Sequence, residues 1–414
     1  MDRRRFVLVA AAAVAPAASW AQALGPNPAG PSPAGLLGAS GDPNFLAWLN
    51  DFYARSRARG FSVAVLDQAL SGIAPDPRVA AKDAGQPEFA QPVSSYIRTQ
   101  VTAARIAAGR SALAAMPQLI GVKARYGVPT EILVGIWAME SDFGRLQGDY
   151  DVIRSLATLA AAGRRRAWAE SELWAAMQAL EEGKVSRARL VGSWAGAMGQ
   201  TQLLPSAFLA DAVSASGTGA PDIWRSAPDA LASAARLLAK AGWARGESWG
   251  RRVTAPYGFD FATVEGPAKP WPWWRQRGLR LADGLEWRSG DEDGGAVLIA
   301  PSGATGPLFL VLPNHFVIRA YNDSLAYALA VGLLADGFVG GQPLAIRWPF
   351  ETPLSLTERM DAQSALLRLG FDPGPIDGLF GVRARAALRA WQKSRGLVAD
   401  GYLTPRLVEL LRAA

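Results

Sequence analysis

The sequence predicts a mainly α, α+β protein: a large helical domain interrupted by a small irregular β-rich insertion, then a small domain of three helices. Three observations carry this reading. Apolar side chains recur at helical spacing through most of residues 45–241. Between residues 250 and 311 the texture changes to short apolar runs punctuated by Gly and Pro. Beyond residue 353 two Asp-Gly turns alternate with helical patterns.

Taken in order, Phe45, Trp48, Leu49 and Phe52 mark a first amphipathic helix, and Val63, Leu66 and Leu70 a second after Gly60. Ala74-Pro75-Asp76-Pro77 reads as a turn, and a GQPEF motif follows at 85–89. Tyr96, Ile97, Val101 and Ile106 fit one helix over 93–115, and 116–126 leads into the stretch GVPTEILVGIWAMESDFGR at 127–145. There Pro129 and Thr130 start a helix, Thr130 as N-cap, and Gly144 stops it. Leu133, Ile136, Trp137 and Glu140 fall at i, i+3, i+4 and i+7, so a carboxylate shares the apolar stripe. Desolvation penalises its charged form, which is how a general acid keeps its proton at neutral pH. The competing reading is an end-of-helix Glu140 paired with Arg145 or another arginine.

Two further helices are expected at 151–159 and 166–182, with Arg164-Arg165-Arg166 between them as a solvated helix start or a contact for an acidic ligand. Residues 192–206, GSWAGAMGQTQLLPS, suit neither a core helix nor a solvated loop. Gly192, Gly196 and Gly199 allow close backbone approach, and Ser193, Gln200 and Gln202 can grip hydroxyl or acetamido groups. The alternative is a helix crossing that needs small residues. A loop at 214–223 and a helix at 229–241 precede the insertion, where Trp271-Pro272-Trp273-Trp274 reads as core or as a stacking surface for sugar rings. Tyr321-Asn322-Asp323-Ser324 opens a helix over 325–336. In the tail, Ile376-Asp377-Gly378 and Ala399-Asp400-Gly401 are turns before helices, and Thr404 and Pro405 cap the last one.

Composition narrows the chemistry. The chain has 414 residues and no cysteine, which removes disulfides, thiolate metal sites and cysteine nucleophiles together. Its one histidine, His315, lies in an apolar, strand-like run and reads as a packed residue. Catalysis, if present, falls to carboxylates. Residues 1–23 have the export pattern: Arg3-Arg4-Arg5, an alanine-rich apolar run, then Ala21 and Ala23. The arginines resemble a twin-arginine signal, with Asp2 in place of the usual hydroxyl residue. With no cysteine no lipid anchor is expected, and no later stretch suits a membrane span. Removing this segment takes three Arg and one Asp from a net charge of +7, leaving +5. That suits an anionic polymer such as the cell wall as well as it suits an ordinary arginine-rich protein. Nothing resembles a nucleic-acid module.

These motifs together resemble the B-type lytic murein transglycosylases: Trp48-Leu49, GQPEF, YGVP…E…GIWAMESDFGR, GSWAGAMGQTQLLPS and PNHFVIRAYNDSLAYALAV at 313–331. The tail resembles a peptidoglycan-binding module through its LGF…IDG…WQ…GL…DG pattern. The resemblance implies a lysozyme-like catalytic domain in which Glu140 acts as acid and then base. Ser193, Gln202, Tyr321, Asn322 and Tyr327 would line the cleft, with Tyr96 a further candidate. It implies peptidoglycan glycan strands as substrate in the periplasm, cell-wall synthesis proteins as candidate partners, and no cofactor. Three departures stand out, one of them in the tail, where Val382-Arg383-Ala384 replaces the usual proline and threonine at a helix start. Ser214, Ser216 and Thr218 occupy a loop where some relatives hold calcium with Asp ligands, so no metal is expected. Leu237 stands where some relatives have a cleft tyrosine. The implied boundaries are a signal at 1–23, a tether at 24–42, the catalytic domain at 43–336, a linker at 337–352 and the binding domain at 353–414. The competing functions are a lysozyme-like hydrolase using Asp142, Asp149 or Asp151 to hold water, and a non-catalytic scaffold.

Overall fold

A computed structural model describes residues 41–84, 91–282, 294–340 and 346–414. The export segment, nearly all of the tether and the GQPEF motif lie outside the described residues. In chain order the first helices are α1 (Pro43–Ala58), α2 (Val63–Leu70) and α3 (Pro77–Ala84). Then come α4 (Val93–Gln100), α5 (Ala103–Ala115), α6 (Leu119–Tyr126) and α7 (Thr130–Ser141). A short strand β1 (Tyr150–Asp151) precedes α8 (Val152–Ala162) and α9 (Arg166–Glu181), and β2 (Val191–Gly192) precedes α10 (Pro205–Asp211) and α11 (Ala227–Lys240). The insertion holds β3 (Gly250–Thr254), α12 (Trp271–Gln276), β4 (Arg280–Leu281), β5 (Val297–Ile299) and β6 (Leu308–Val311). After it come α13 (Pro313–Tyr321) and α14 (Leu325–Val339), and the tail folds as α15 (Leu356–Arg368), α16 (Val382–Ser394) and α17 (Pro405–Ala413).

The mainly helical class holds, with several local corrections. The single helix expected over 93–115 is two, because Thr102 leaves helical geometry and accepts the Arg105 N–H as the N-cap of α5. The turn at 74–77 opens α3, whose eight residues are too few to show a clear period. Thr130 is the first helical residue of α7 rather than its cap; Pro129 supplies the first carbonyl, to Ile132 and Leu133. His315 sits in a helix, not a strand, and α14 runs three residues past the expected end at Asp336.

The described residues divide into two compact units, those within 1–86 and 140–237 and those within 87–139 and 238–414, with divisions falling inside α7 and α11. In the first unit α8 is the hub: Val152 through Ala160 are buried apart from Arg154, and α1, α3 and α9 pack on it. Beside it Phe45, Trp48, Phe52 and Trp174 form a run of ring contacts. Buried Glu170 is matched there by Arg55 (2.7 and 2.9 Å) and Trp48 Nε1 (2.9 Å). Burial alone would raise that carboxyl, but those donors hold it below the usual carboxylate range.

In the second unit α14 is buried from Tyr327 to Phe338 apart from Asp336, and α4, α5 and α13 pack on it. The insertion is an antiparallel sheet in the order β4-β3-β6-β5. Trp271 and Trp274 are buried in its core with Val253, Leu298 and Leu310. Trp273 carries Arg277 over its ring face at 3.4 Å. The tail helices enclose a core of Leu366, Leu388, Trp391, Val408 and Leu411. Its last helix is capped by Thr404 with Pro405 behind it. Helix α16 forms from Val382 although Gly381 offers no side-chain cap.

Candidate active site

Helix α7 is apolar on all sides, not along one stripe: Leu133, Val134, Ile136 and Ala138 are fully buried. Burying each large side chain contributes about 1.5–3 kcal/mol, so the helix is firmly seated where Glu140 leaves it. Glu140 itself is half-buried. Immediately after it the backbone turns through three left-handed residues, Asp142 (φ 50°), Phe143 (φ 59°) and Gly144 (φ 80°). Only the last is the residue type that adopts this region freely. Buried Ser141 pins the turn: its Oγ donates to the Gln200 carbonyl at 2.5 Å and accepts the Gly144 N–H at 2.9 Å. Arg145, the cation five residues beyond Glu140, pairs with Asp142.

Gln200 belongs to the glycine-rich segment, so this bond ties two distant motifs of the first unit together. The segment folds as a knot of short bridges, Gly192 with Met198 and Met198 with Leu203, and β2 pairs with β1. Its glycines are spent on the chain itself. A Cβ at Gly196 would meet Leu156, one at Gly199 would meet the Ile223 carbonyl at 2.8 Å, and one at Gly192 would overlap the Ala197 carbonyl. Ser193 closes a turn, with its Oγ accepting the Ala197 N–H at 3.0 Å. Gln202 is left-handed (φ 51°) and donates from Nε2 to the carbonyls of Gly199 (2.8 Å) and Gln147 (3.2 Å). Its amide nitrogen is thereby committed, and Oε1 is the end that can accept from a sugar hydroxyl.

Of the sequence-predicted site residues, Glu140, Ser193 and Gln202 belong to the first unit, and Tyr96, Tyr321, Asn322 and Tyr327 to the second. Tyr321 ends α13 and Asn322 is its exposed C-cap, so neither lies in the closing helix as expected. Only Tyr327 does, and it is 3% exposed. Tyr96 is half-buried on α4. Sequence reading missed Ser141 and Gln147. Ser141 had one available signal, a small hydroxyl beside the carboxylate; Gln147 had none.

Other candidates resolve into structure. The Ser214, Ser216 and Thr218 hydroxyls contact one another, and Asp229 spends its carboxylate on the N–H groups of Ala215 and Asp222. That neutral donor set does not fit a hard dication. Arg164 binds Asp83 through two nitrogens (2.8 and 3.2 Å), and Arg166 donates to the Ala160 carbonyl. Burial drives His315 down to about 3, so it stays neutral.

Residues 44–336 match the transglycosylase SLT domain and residues 355–411 a peptidoglycan-binding domain. The membrane-bound lytic murein transglycosylase B of Escherichia coli (strain K12) is 32% identical over 216 residues, 51% of this chain and 57% of the relative. The chain thus spans little more than half the length of that curated relative. The crystal structure of SltB3 from Pseudomonas aeruginosa in complex with NAG-anhNAM-pentapeptide is 43% identical with a TM-score of 0.84, covering 90% of this chain and all of that one. SltB1 from Pseudomonas aeruginosa is 28% identical with a TM-score of 0.62, covering 70% of this chain and 98% of that one. With the SLT match extending over well more than half of its length, the chain belongs to the SLT transglycosylases, in their lytic murein transglycosylase B group, and carries a peptidoglycan-binding domain behind the SLT domain.

Proposed function

We propose that this protein cleaves the β-1,4 bond between N-acetylmuramic acid and N-acetylglucosamine in peptidoglycan without water, leaving 1,6-anhydro ends. Glu140 protonates the glycosidic oxygen and the C1–O bond breaks. The sugar's own acetamido oxygen covers C1, as in the substrate-assisted exceptions to the two-carboxylate scheme. The Glu140 carboxylate then takes the proton from the C6 hydroxyl, O6 closes on C1, and the acid is regenerated. Ser193 and Gln202 hold the sugars from the glycine-rich segment, and Tyr96, Tyr321, Asn322 and Tyr327 are further substrate-binding residues. The observation that carries this reading is the seat of Glu140 at the end of a fully packed helix, followed by a strained turn pinned by Ser141.

For the hydrolase alternative, each of the three carboxylates offered to hold water has an arginine beside it. Asp142 pairs with Arg145, Asp149 with Arg78 at 3.6 Å and Asp151 with Arg187 at 2.6 Å. The protein works in the periplasm after removal of residues 1–23, with a linker at 24–42, the catalytic domain at 43–336, a linker at 337–352 and the wall-binding domain at 353–414. Among the described residues no helix is long and apolar enough to cross a membrane. Cell-wall synthesis proteins are its candidate partners. Mass spectrometry of muropeptides released from purified sacculi tests the proposal: anhydromuramoyl ends are expected from the wild type and none from Glu140→Gln. Reducing ends would establish a hydrolase, and unaltered sacculi a scaffold.

A further inference from the structure

The tail contains one device twice. Buried Gln363 of α15 accepts the Gly378 N–H at Oε1 (2.7 Å) and donates from Nε2 to Asp377 Oδ1 (3.2 Å). Buried Gln392 of α16 does the same for the second turn, accepting the Gly401 N–H (2.8 Å) and donating to Asp400 Oδ1 (2.9 Å). In each turn Oδ1 also accepts the N–H two residues on, from Leu379 (2.8 Å) or Tyr402 (3.0 Å).

The copies differ in what covers them. Asp400 uses Oδ2 to accept the Ala304 N–H at 2.9 Å, from the loop between β5 and β6. Gly303 in that loop lies so close that a Cβ there would fall 2.7 Å from Asp400 Oδ2. Beside this contact Glu265 of the insertion takes Arg385 through Nε and Nη2 (2.9 and 2.6 Å) and Arg389 through Nη1 (2.8 Å). Its side chain is 12% exposed. Burial would raise the Glu265 carboxyl, but the two guanidinium groups hold it below the usual range. Glu265 is also left-handed (φ 54°), a backbone cost retained for a residue whose carboxylate joins two parts of the second unit. A cavity of about 200 Å³ follows the same seam, lined by Val264, Ile299, Arg359 and Tyr402 among others. The first turn has the opposite surroundings: Asp377 is exposed, with Ile376 and Leu379 beside it at 41% and 36% exposure.

We infer that the binding domain works clamped to the β-rich insertion through its second Asp-Gly turn and Glu265, leaving the first turn, with Ile376, Asp377 and Leu379, as the face that meets peptidoglycan. The face assignment rests on the tail being the wall-binding part; the clamp does not. Amide hydrogen exchange on the full chain tests the clamp. In Glu265→Ala the Ala304 amide should exchange at least tenfold faster while the Gly378 amide, buried on Gln363 within the domain, keeps its protection. Unchanged protection at Ala304 overturns the clamp, as does loss of protection at Gly378 together with Ala304, which would mean the domain had unfolded rather than undocked. Should Glu265→Ala fail to fold, Arg385→Met gives the same readout. Cosedimentation with purified sacculi tests the face, using Glu140→Gln as the uncut background. Adding Ile376→Asp and Leu379→Asp should lower retention at least fivefold, and adding Glu265→Ala should leave it unchanged. The reverse pattern, or equal retention of all variants, overturns the assignment. If the background itself is not retained, the wall-binding reading fails while the exchange result still decides the clamp.

Discussion

The turn after Glu140 and the two turns of the tail solve the same geometric problem with different residues. In the tail, left-handed positions go to glycine, Gly378 (φ 76°) and Gly401 (φ 73°), as the steric cost of a Cβ demands. After α7 and in the glycine-rich segment they are shared between Gly144, Gly196 and Gly199 and three non-glycines, Asp142, Phe143 and Gln202, each of the latter at a cost of about 1 kcal/mol. Glu265 is the one other non-glycine of this kind among the described residues. Where a bend only has to be made, the sequence uses glycine. Where a side chain has to be delivered from the bend, it accepts strain, and the strained positions cluster in the parts given a role in cleavage or clamping.

The largest effect expected is at Glu140. Glu140→Gln should lower sacculus turnover by roughly 10²–10⁴-fold, the range for loss of a general acid, with the melting temperature little changed. A variant that keeps its rate would reduce the strained turn to a folding feature. Ser141→Ala removes the two side-chain bonds that pin the turn, to the Gln200 carbonyl and from the Gly144 N–H. A loss of about 1–3 kcal/mol in urea unfolding is expected, together with reduced kcat. Gln202→Gly separates strain from function: relief of the left-handed strain offsets the loss of its two Nε2 bonds, so unfolding stability should change by about 1 kcal/mol or less while activity on sacculi falls, whereas a larger parallel loss would make Gln202 structural. In the tail, Gly401→Ala meets the Arg385 carbonyl at 2.8 Å as well as an unfavourable φ, so about 2 kcal/mol or more is expected. Gly396→Ala has open space around it and should cost about 1 kcal/mol, both read from thermal unfolding.

The smallest effect is one of sign. Glu172 holds the Ser206 N–H and hydroxyl at the end of the glycine-rich segment, and its burial raises the carboxyl. The folded state therefore binds its proton more tightly, and stability declines as pH rises from the ordinary carboxylate range through the raised value. Glu265 is shifted the other way; its contribution is complete above the ordinary range and is lost as pH falls through the lowered value. Glu172→Gln should thus gain melting temperature relative to wild type on going from acid to neutral pH, and Glu265→Ala should lose it.

Much of this was legible in the chain. The presence of a helix at α7, the Asp-Gly turns and the cap at Thr404 all follow from local pattern, because each depends on residues within a turn or two of one another. The break at Thr102 was present as a cap residue but was outweighed by periodicity on both sides. The Ser141 to Gln200 bond was not legible, since its partners are 59 residues apart and one is a backbone carbonyl. The same limit hid the clamp, in which Glu265 reaches residues 120 and 124 positions away. Burial of Tyr327 was likewise invisible, because an aromatic on an all-apolar helix gives no clue to which end of its ring is wet.

One buried ring makes kinetic work on this protein unusually easy to interpret. His315 is the sole imidazole in 414 residues, neither of its nitrogens has a hydrogen-bond partner, and its neutral form persists down to about pH 3. Between pH 5 and 8 the chain therefore has no imidazole to titrate. An inflection in a rate profile across that window reports a carboxyl displaced upward or the α-amino group, and comparing profiles of the Glu172→Gln and wild-type proteins identifies which acid bends the curve.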